Sequence, residues 1–364
     1  MITTWLWRAA WLLLPAAWAV HHFTHDDALT FFIACGSLIP LARTMGDATE
    51  SLAERMGPAA GSLLNATFGN AAELILGISA LRHGHVSLVK GSITGSILGN
   101  LLLVAGASIV AGGLKFSRLR FNRLAASSSI STLFLAVVAM VVPTLLATSG
   151  NARFKPALLS EEISGVLIVM YALSLWFTLR THAQHMGSER PSLPATPAEA
   201  AAARAPAREE PHESVGRALL RLFVAAGATA IASELLVGSL EGTLQAVHLP
   251  ETFVGVIIVA IVGNAAEHST AVLFARRGDM DVALGIAWES SKQIALFVAP
   301  VLVFAGIAMG VPMDLAFTRF EVISLGLAVI ALSLIALDGE THWLEGAFLL
   351  AVYAVLGMGF YFVG

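Results

Sequence analysis

The chain contains one stretch twice, and this duplication restricts the fold more than any other feature. Gly69-Asn70-Ala71-Ala72-Glu73 recurs as Gly263-Asn264-Ala265-Ala266-Glu267, so that each residue matches the one 194 positions later. The same offset aligns further identical pairs without a gap, namely Arg82 and Arg276, Gly84 and Gly278, Gly91 and Gly285, Ser96 and Ser290, Val104 and Val298, and Gly112 and Gly306. A duplicated apolar unit with a carboxylate at matching positions is typical of membrane transporters built from inverted repeats. The two glutamates are therefore the first candidates for function.

The composition excludes a soluble protein. Hydrophobic residues make up 57% of the 364 residues and charged residues only 13%, and the mean hydropathy is +0.78. A soluble domain with this balance would expose large apolar patches to water. We therefore expect a lipid bilayer as its environment, with no nucleic-acid partner and no cofactor. A monomer and a homo-oligomer both remain open.

Apolar runs long enough to cross a bilayer follow one another along almost the whole chain, and we interpret each as a helix. The predicted spans lie near residues 5–21, 28–43, 59–82, 87–113, 124–148, 160–180, 216–240, 250–275, 282–310, 318–337 and 342–363. These spans predict an all-α polytopic membrane protein of about eleven transmembrane helices, with one extra N-terminal helix and two inverted five-helix repeats. A signal peptide is the alternative for the first run, because Arg8 precedes an apolar stretch that contains Ala17-Trp18-Ala19.

The domain boundaries follow from one shift in composition. Residues 1–26 form the extra helix, 27–181 the first repeat, 182–214 a cytoplasmic linker and 215–364 the second repeat. The linker is polar and rich in Pro and Ala, a composition that cannot bury a core.

The orientation follows from the loops. Five spans is an odd number, so the second repeat has to enter the membrane in the opposite sense to the first. Lys and Arg concentrate in short cytoplasmic loops. A cytoplasmic N-terminus places the basic loop 115–123, the linker and Arg276-Arg277 inside. The exceptions are Arg82, Lys90, Arg153 and Lys155. We expect the inner (plasma) membrane of a bacterial cell.

The repeated motif supplies the ligands of a cation site. A carboxylate at mid-membrane depth costs several kcal/mol unless it is paired, protonated or bound to a cation. Gly69 and Gly263 let the helix open, so that freed carbonyls can face the same cavity as Asn70 and Asn264. Each Asn lies three residues before its glutamate and so shares a helix face with it. Two carboxylates with neighbouring oxygens suit a hard divalent cation such as Ca²⁺.

The same two carboxylates predict coupling to protons. Glu73 and Glu267 repel each other when both are ionised and close together, so the empty site favours uptake of a proton. Bound Ca²⁺ favours two ionised carboxylates instead. Competition of Ca²⁺ and protons for one site is the minimum requirement for exchange. The alternative is a structural pair, in which the glutamates bond to backbone or share a proton.

Three further residues are candidates for proton transfer or gating. His268 follows Glu267 directly, and a neutral histidine packed against a neighbouring helix is the alternative to a proton carrier. Ala48-Thr49-Glu50 resembles Ala232-Ser233-Glu234 at an offset of 184. Glu50 and Glu234 are therefore predicted either to form a proton entrance or gate, or to be boundary acids that face water.

These motifs resemble the two signatures of the calcium/proton exchangers (CAX), a branch of the cation/calcium antiporter superfamily. The first resemblance lies in residues 64–73 (LNATFGNAAE), 95–96 and 100–104, and the second in 262–268 (VGNAAEH) and 293–298. It implies exchange of cytosolic Ca²⁺ for protons, with Glu73 and Glu267 as central ligands. It also implies that Asn70, Asn264, Ser96, Ser290 and Gln293 line the site. The Thr-Ser-x-Pro-Glu signature of sodium/calcium exchangers is absent from the sequence.

One departure from the family pattern brings two charges into the predicted core. Glu289 stands where the first repeat has Gly95, and Lys292 where it has Leu98. A self-neutralised Glu289–Lys292 ion pair is one interpretation. The other is that Lys292 reaches Glu267, or that Glu289 becomes an extra ligand. Both residues, together with Asn100, are possible modulators of the site.

We therefore predict a secondary active antiporter that exports Ca²⁺ from the cytosol in exchange for H⁺ by alternating access around two glutamates. A sodium/calcium or other cation exchanger is the alternative within the same class. A passive channel and a membrane-embedded hydrolase that uses Glu267 and His268 are alternatives from other classes. The hydrolase is disfavoured, because an enzyme needs only one copy of its site.

Overall fold

The structure is a computed structural model that describes residues 10–56, 61, 64, 67–149, 155–181 and 214–363. The predicted linker therefore lies almost wholly outside the described residues, as do residues 1–9 of the first predicted span. The helices of the first half are α1 Leu13–Phe23, α2 Asp27–Met56, α3 Ala71–Arg82, α4 Val86–Gly113, α5 Arg123–Ala147 and α6 Pro156–Thr181. Those of the second half are α7 Val215–Gly238, α8 Leu240–Val247, α9 Glu251–Gly263, α10 Ala265–Arg277, α11 Met280–Met309, α12 Arg319–Ile335 and α13 Trp343–Val363.

The prediction of a helical protein with many apolar spans is confirmed. Within the described part, seven helices are long and apolar enough to cross a membrane: α2, α4, α5, α6, α7, α11 and α13. α8 and α9 form a bent pair with an angle of 108° between them, which can count as an eighth span. The chain thus has the membrane architecture that its composition requires.

Three local features differ from the sequence prediction. α2 continues to Met56 instead of ending near Arg43, because its C-terminal part is amphipathic, with Asp47 and Glu50 exposed and Met45 and Ala48 buried. The stretch between Glu241 and Glu251, predicted as a loop, contains α8. The fold is also not purely helical, since β1 (Leu119–Arg120) pairs antiparallel with β2 (Glu340–Thr341).

Both copies of the repeated motif interrupt a helix at the same place. α3 begins directly after Asn70, and α10 begins directly after Asn264. The two asparagines share a non-helical conformation, with φ −101° and ψ 19° at Asn70 and φ −96° and ψ 6° at Asn264. The helix break expected from Gly-Asn is therefore present twice.

Helices from the two halves pack between one another. α3 of the first half lies against α7 and the C-terminal part of α11, whereas α10 of the second half lies against α2 and the C-terminal part of α4. α2 and α7 also contact each other along their lengths. At their crossing, Thr229 Oγ1 donates a hydrogen bond to Met45 Sδ at 3.3 Å. Each repeated motif is thus held by both halves.

α4 and α9 approach each other backbone to backbone through glycines. A Cβ atom at Gly91 would stand 3.0 Å from the carbonyl oxygen of Thr252, and one at Gly95 would overlap the backbone of Val256. Small residues four positions apart allow such close helix packing in membranes. The matching positions of the second half, Gly285 and Glu289, instead line an open cavity.

Candidate ion-binding site

A cavity of about 600 Å³ reaches the two helix breaks. α2 and α11 line it together with the repeated motifs of both halves. The predicted site residues that it brings together are Gly69, Glu73, Gly263, Glu267, Ser290, Gln293, Glu50 and Glu289. The first six are contributed by three segments that are far apart in sequence, the two repeated motifs and α11.

Glu73 and Glu267 enter this cavity from opposite halves of the chain. A Cβ atom at Gly263 would stand 3.7 Å from Glu73 Oε1, so the first glutamate lies against the helix break of the second motif. The Oε2 atom of each glutamate is buried and has no hydrogen-bond partner among the described residues. A buried carboxylate oxygen without a partner is costly, and a proton or a cation would remove that cost.

The two asparagines are fixed by helices of the opposite half. Asn70 Nδ2 donates to Gln293 Oε1 at 2.5 Å. Asn264 Nδ2 donates to Ser96 Oγ at 2.9 Å and to the carbonyl oxygen of Ala260 at 3.0 Å. The Oδ1 atom of Asn264 is buried and accepts no hydrogen bond from the described residues. This oxygen is therefore available as a hydrogen-bond acceptor or a cation ligand.

Ser290 connects the second glutamate to the first half. Its Oγ accepts a hydrogen bond from Asn100 Nδ2 at 3.0 Å, and its hydroxyl lies beside the carboxylate of Glu267. Asn100, a possible modulator from the sequence, is thus a buried positioning group for Ser290. Ser96 holds the equivalent place in the first half, where it accepts from Asn264.

The donor set has few carboxylates. Within the described residues, no group of three or more His, Cys, Asp and Glu side chains lies close enough to hold a metal ion. A divalent cation at the glutamate pair would take its remaining ligands from amide, hydroxyl and carbonyl oxygens and from water. Ca²⁺ accepts six to eight such oxygens in flexible geometry. A site of this kind is suited to an ion that binds and leaves again.

The cavity ends at the glutamates. Beyond Glu73, the space towards Leu76, Leu88 and Leu302 has a volume of only about 10 Å³, which is the room that a single water molecule needs. Among the described residues, the approach to the glutamates is thus wide on the side of Glu50, which we call the open end, and narrow on the side of Leu88, which we call the closed end.

The two charges that depart from the family pattern form an ion pair. Lys292 Nζ lies 2.5 Å from Glu289 Oε1, and Ser129 donates to the same carboxylate oxygen at 3.4 Å. Lys292 is only 4% exposed, whereas the side chain of Glu289 is 50% exposed. A side cavity of about 200 Å³ adjoins the pair. This geometry agrees with the self-neutralised interpretation.

The remaining predicted residues do not meet at one place. Glu50 is exposed and lines the cavity. Glu234 lies outside the cavity, where it contacts Arg82 at 3.5 Å and His83 at 3.7 Å. His268 is not among the residues that line the cavity, and its Nε2 has no partner among the described residues. The arrangement thus separates the two boundary acids from each other.

Sequence reasoning missed three polar residues of the cavity. Arg43, Asp47 and Thr270 line it together with Glu50. Arg43, Asp47 and Glu50 are spaced by four and three residues on α2, so the helical period places them on one face. This spacing was the available signal in the sequence.

Comparisons with known proteins identify the family of the chain. The profile of the family described as "Sodium/calcium exchanger protein" matches residues 27–180 and 217–362. A "Ca(2+)/H(+) antiporter" from Synechocystis is 44% identical over 96% of this chain and 95% of its own. A "Ca(2+)/H(+) antiporter ChaA" from Bacillus subtilis is 43% identical over 92% of each chain.

Solved structures give the same result. The native structure of YfkE has a TM-score of 0.81 at 38% identity, and the match covers 97% of this chain and 100% of that one. The structure described as "H+/Ca2+ Exchanger CAX" has a TM-score of 0.70, with 99% and 92% covered. Its identity of 15% makes it evidence for the fold alone. The chain belongs to the sodium/calcium exchanger protein family, and its relatives confirm the predicted resemblance to calcium/proton exchangers.

Proposed function

We propose that the chain is a secondary active antiporter that exports Ca²⁺ from the cytosol in exchange for H⁺. The observation that carries this proposal is the pair of glutamates at two matching helix breaks, each with one carboxylate oxygen that has no partner among the described residues, in a shared cavity of about 600 Å³. The names of the Synechocystis and Bacillus subtilis relatives support the choice of ions. These relatives are transporters, which disfavours the hydrolase alternative.

Ca²⁺ would bind between Glu73 and Glu267. Asn70, Asn264, Gln293 and the two serines would contribute or position neutral oxygens, and the backbone at Gly69 and Gly263 would supply carbonyls. The hydrogen bonds from Asn264 to Ser96 and from Asn100 to Ser290 support this arrangement, because they fix the oxygens around the glutamates. Such positioning lowers the entropic cost of collecting ligands around the ion.

Protons would compete for the same two oxygens. Two ionised carboxylates in one cavity repel, so the empty site would take up protons and the loaded site would release them. Exchange follows when the protonated and the Ca²⁺-loaded forms reorient but the empty, charged form does not. The glutamates would therefore carry both ions in turn.

The architecture proposed for this cycle is two inverted five-helix repeats behind an extra N-terminal helix, with about eleven spans in total. Under this assignment, residues 27–181 and 215–364 are the repeats, 1–26 the extra helix and 182–214 a cytoplasmic linker. The two separate matches of the family profile support this division. The equal placement of the breaks before α3 and α10 supports it as well.

The orientation proposed is a cytoplasmic N-terminus in a bacterial inner membrane. The end of α2 that carries Glu50 then lies inside, so the cavity would open to the cytoplasm. Arg82 and Lys90 are exceptions to the positive-inside tendency, but each is in an ion pair: Arg82 contacts Glu234, and Lys90 contacts Asp314 at 2.5 Å. Because both side chains are paired with an acid, these two exceptions count less against the proposed orientation.

The driving ion is tested by Ca²⁺ uptake into proteoliposomes. We expect uptake when the vesicle interior is acidic, none without a pH gradient, and no stimulation by an internal sodium load, because the site offers two proton acceptors. Accumulation of radioactive Ca²⁺ measures the result, with protein-free liposomes and a protonophore as controls. Uptake that requires sodium, or that ignores the protonophore, would instead favour a sodium/calcium exchanger or a channel.

The Glu289–Lys292 pair is tested by a double-mutant cycle. We expect Glu289→Gly with Lys292→Leu to leave the transport rate nearly unchanged, because the two charges are removed together. Lys292→Leu alone leaves an unpaired carboxylate in the cavity and should lower the KM for Ca²⁺. A unit charge about 10 Å from a divalent cation corresponds to roughly 3 kcal/mol at an effective dielectric constant of about 20, before screening by water. Equal effects of the single and double variants would show that the pair is not self-neutralising.

A further inference from the structure

The end of the molecule opposite the cavity mouth carries a polar contact between the two halves. Glu234 on α7 accepts a hydrogen bond from Ser79 Oγ at 3.0 Å and pairs with Arg82 at 3.5 Å, both on or at the end of α3. His83 Nε2 lies 3.7 Å from the second oxygen of the same carboxylate. α3 of the first half is thereby attached to α7 of the second half by residues that do not line the cavity.

The packing of α2 against α7 relates this contact to the other end of the molecule. Glu50 corresponds to Glu234 at the offset of 184, and at the same offset Met45 corresponds to Thr229. Met45 and Thr229 touch each other, so the crossing point of the two helices is shared by equivalent residues. The buried cluster that joins Met45 to Leu52 and Ala218 to Ala225 indicates that the helices run antiparallel.

Glu50 and Glu234 therefore lie on opposite sides of this crossing. Each follows its crossing residue by five positions, or about 7.5 Å along its own helix. Because the helices are antiparallel, the two acids are separated by about 15 Å along the helix direction. One acid lies at the cavity mouth and the other at the closed end.

The equivalent of Arg82 is Arg276, at the end of α10. α10 packs against α2, as α3 packs against α7. Arg276 is exposed, and its side chain has no ion pair with a described residue. Glu50 is likewise exposed and has no hydrogen-bond or ion-pair partner in the described part of the chain. The ion pair Glu234–Arg82 is thus formed at the closed end, whereas the equivalent residues Glu50 and Arg276 are not paired at the open end.

We propose that Glu234–Arg82 and Glu50–Arg276 are alternative ion pairs, one at each end, and that each cycle of transport exchanges one for the other. This inference rests on alternating access as proposed above, and it assigns to Arg82 and Arg276 a role in closing the two ends. An exposed ion pair contributes little stability. Breaking one pair while forming its equivalent keeps the two states close in energy, which a reversible carrier needs.

Cysteine cross-linking tests this exchange. In a Cys35→Ala background, the pair Arg82→Cys with Glu234→Cys should cross-link at rest and less during turnover. The pair Glu50→Cys with Arg276→Cys should cross-link only during turnover. Folding of each variant is checked by size-exclusion chromatography before the reaction. A Glu50/Arg276 cross-link that is absent during turnover, or equal at rest, would overturn the proposal.

A charge-reversal series gives a second readout that does not need engineered thiols. Arg276→Glu should lower the transport rate by up to about fivefold, the range that an exposed ion pair spans, and Glu50→Arg should restore it in the double variant. Arg277→Glu is the matched control, because Arg277 lies over the ring of Phe274 and not at the Arg82-equivalent position. Equal losses in Arg276→Glu and Arg277→Glu, or no rescue, would contradict the exchange.

The cross-linking result is independent of the identity of the ions. Turnover can be started with whichever cation gradient the proteoliposome assay supports. Exchange of the two cross-links without any Ca²⁺ transport would support the alternating ion pairs and reject Ca²⁺ as the substrate. Proton-driven Ca²⁺ transport with cross-links that do not change during turnover would support the proposed function and reject the alternating ion pairs.

Discussion

Replacing Glu73 or Glu267 with glutamine is expected to abolish proton-driven Ca²⁺ accumulation. Glutamine keeps the volume and the hydrogen-bonding reach of the side chain, but it has no negative charge and cannot carry the exchanged proton. A unit charge about 4 Å from a divalent cation is worth roughly 2 kcal/mol even at the dielectric constant of water, so affinity should fall by at least about thirtyfold. Uptake of radioactive Ca²⁺ under a pH gradient measures the loss.

The matched control is Glu162→Gln. Glu162 lies on the exposed surface of α6 and outside the cavity, so this variant changes the same chemical group without touching the site. It should transport at the original rate, and all three variants should elute as folded protein. Normal uptake by either glutamine variant of the central pair would mean that the two carboxylates are structural, as a shared-proton pair.

The second large effect is expected at Gly95, where α4 meets α9. Any side chain at this position overlaps the backbone of Val256, which cannot move aside as a flexible side chain could. Overpacking of this kind costs about 1–3 kcal/mol or more. We expect Gly95→Leu to reduce the yield of folded protein sharply and to lower its melting temperature in detergent.

Gly165→Leu is the comparison for Gly95. Gly165 lies inside α6, and a Cβ atom there would meet nothing within 4 Å. Its yield and melting temperature should stay close to those of the parent protein. Equal stability of the two leucine variants would show that α4 and α9 are not in backbone contact in the folded protein.

Much of the fold followed from the sequence because its signals are local or repeated. Spans such as α4, α5 and α13 are continuous apolar runs, and their ends were predicted within a few residues. The extension of α2 to Met56 was missed, because a helix that leaves the apolar layer no longer has the composition of a span. The bend between α8 and α9 was missed because it depends on packing and not on a run of apolar residues.

The candidate site was partly predictable for the same reason. Glu73 and Glu267 stand out because a carboxylate in an apolar repeat is expensive. The bonds from Asn70 to Gln293 and from Asn100 to Ser290 join residues about two hundred positions apart. Spacing along the chain cannot reveal such partners. The Glu289–Lys292 ion pair was one of the two interpretations of the sequence, since the two residues are three apart on one helix.

The glycine contact between α4 and α9 has no equivalent in the other half, and this asymmetry has a kinetic consequence. Gly95 permits backbone contact at the closed end, whereas its counterpart Glu289 brings a charged side chain to the position where the same contact would have to form. Two repeats that exchange roles would then close the two ends unequally well, and the resting population would favour the conformer with the glycine contact. Since the affinity measured at a face scales with the fraction of carriers open to it, the face towards which the cavity opens would show the tighter half-saturation. The ion gradients would still set the direction of net flux. The unequal closure of the two ends would set the half-saturation concentration of Ca²⁺ at each face.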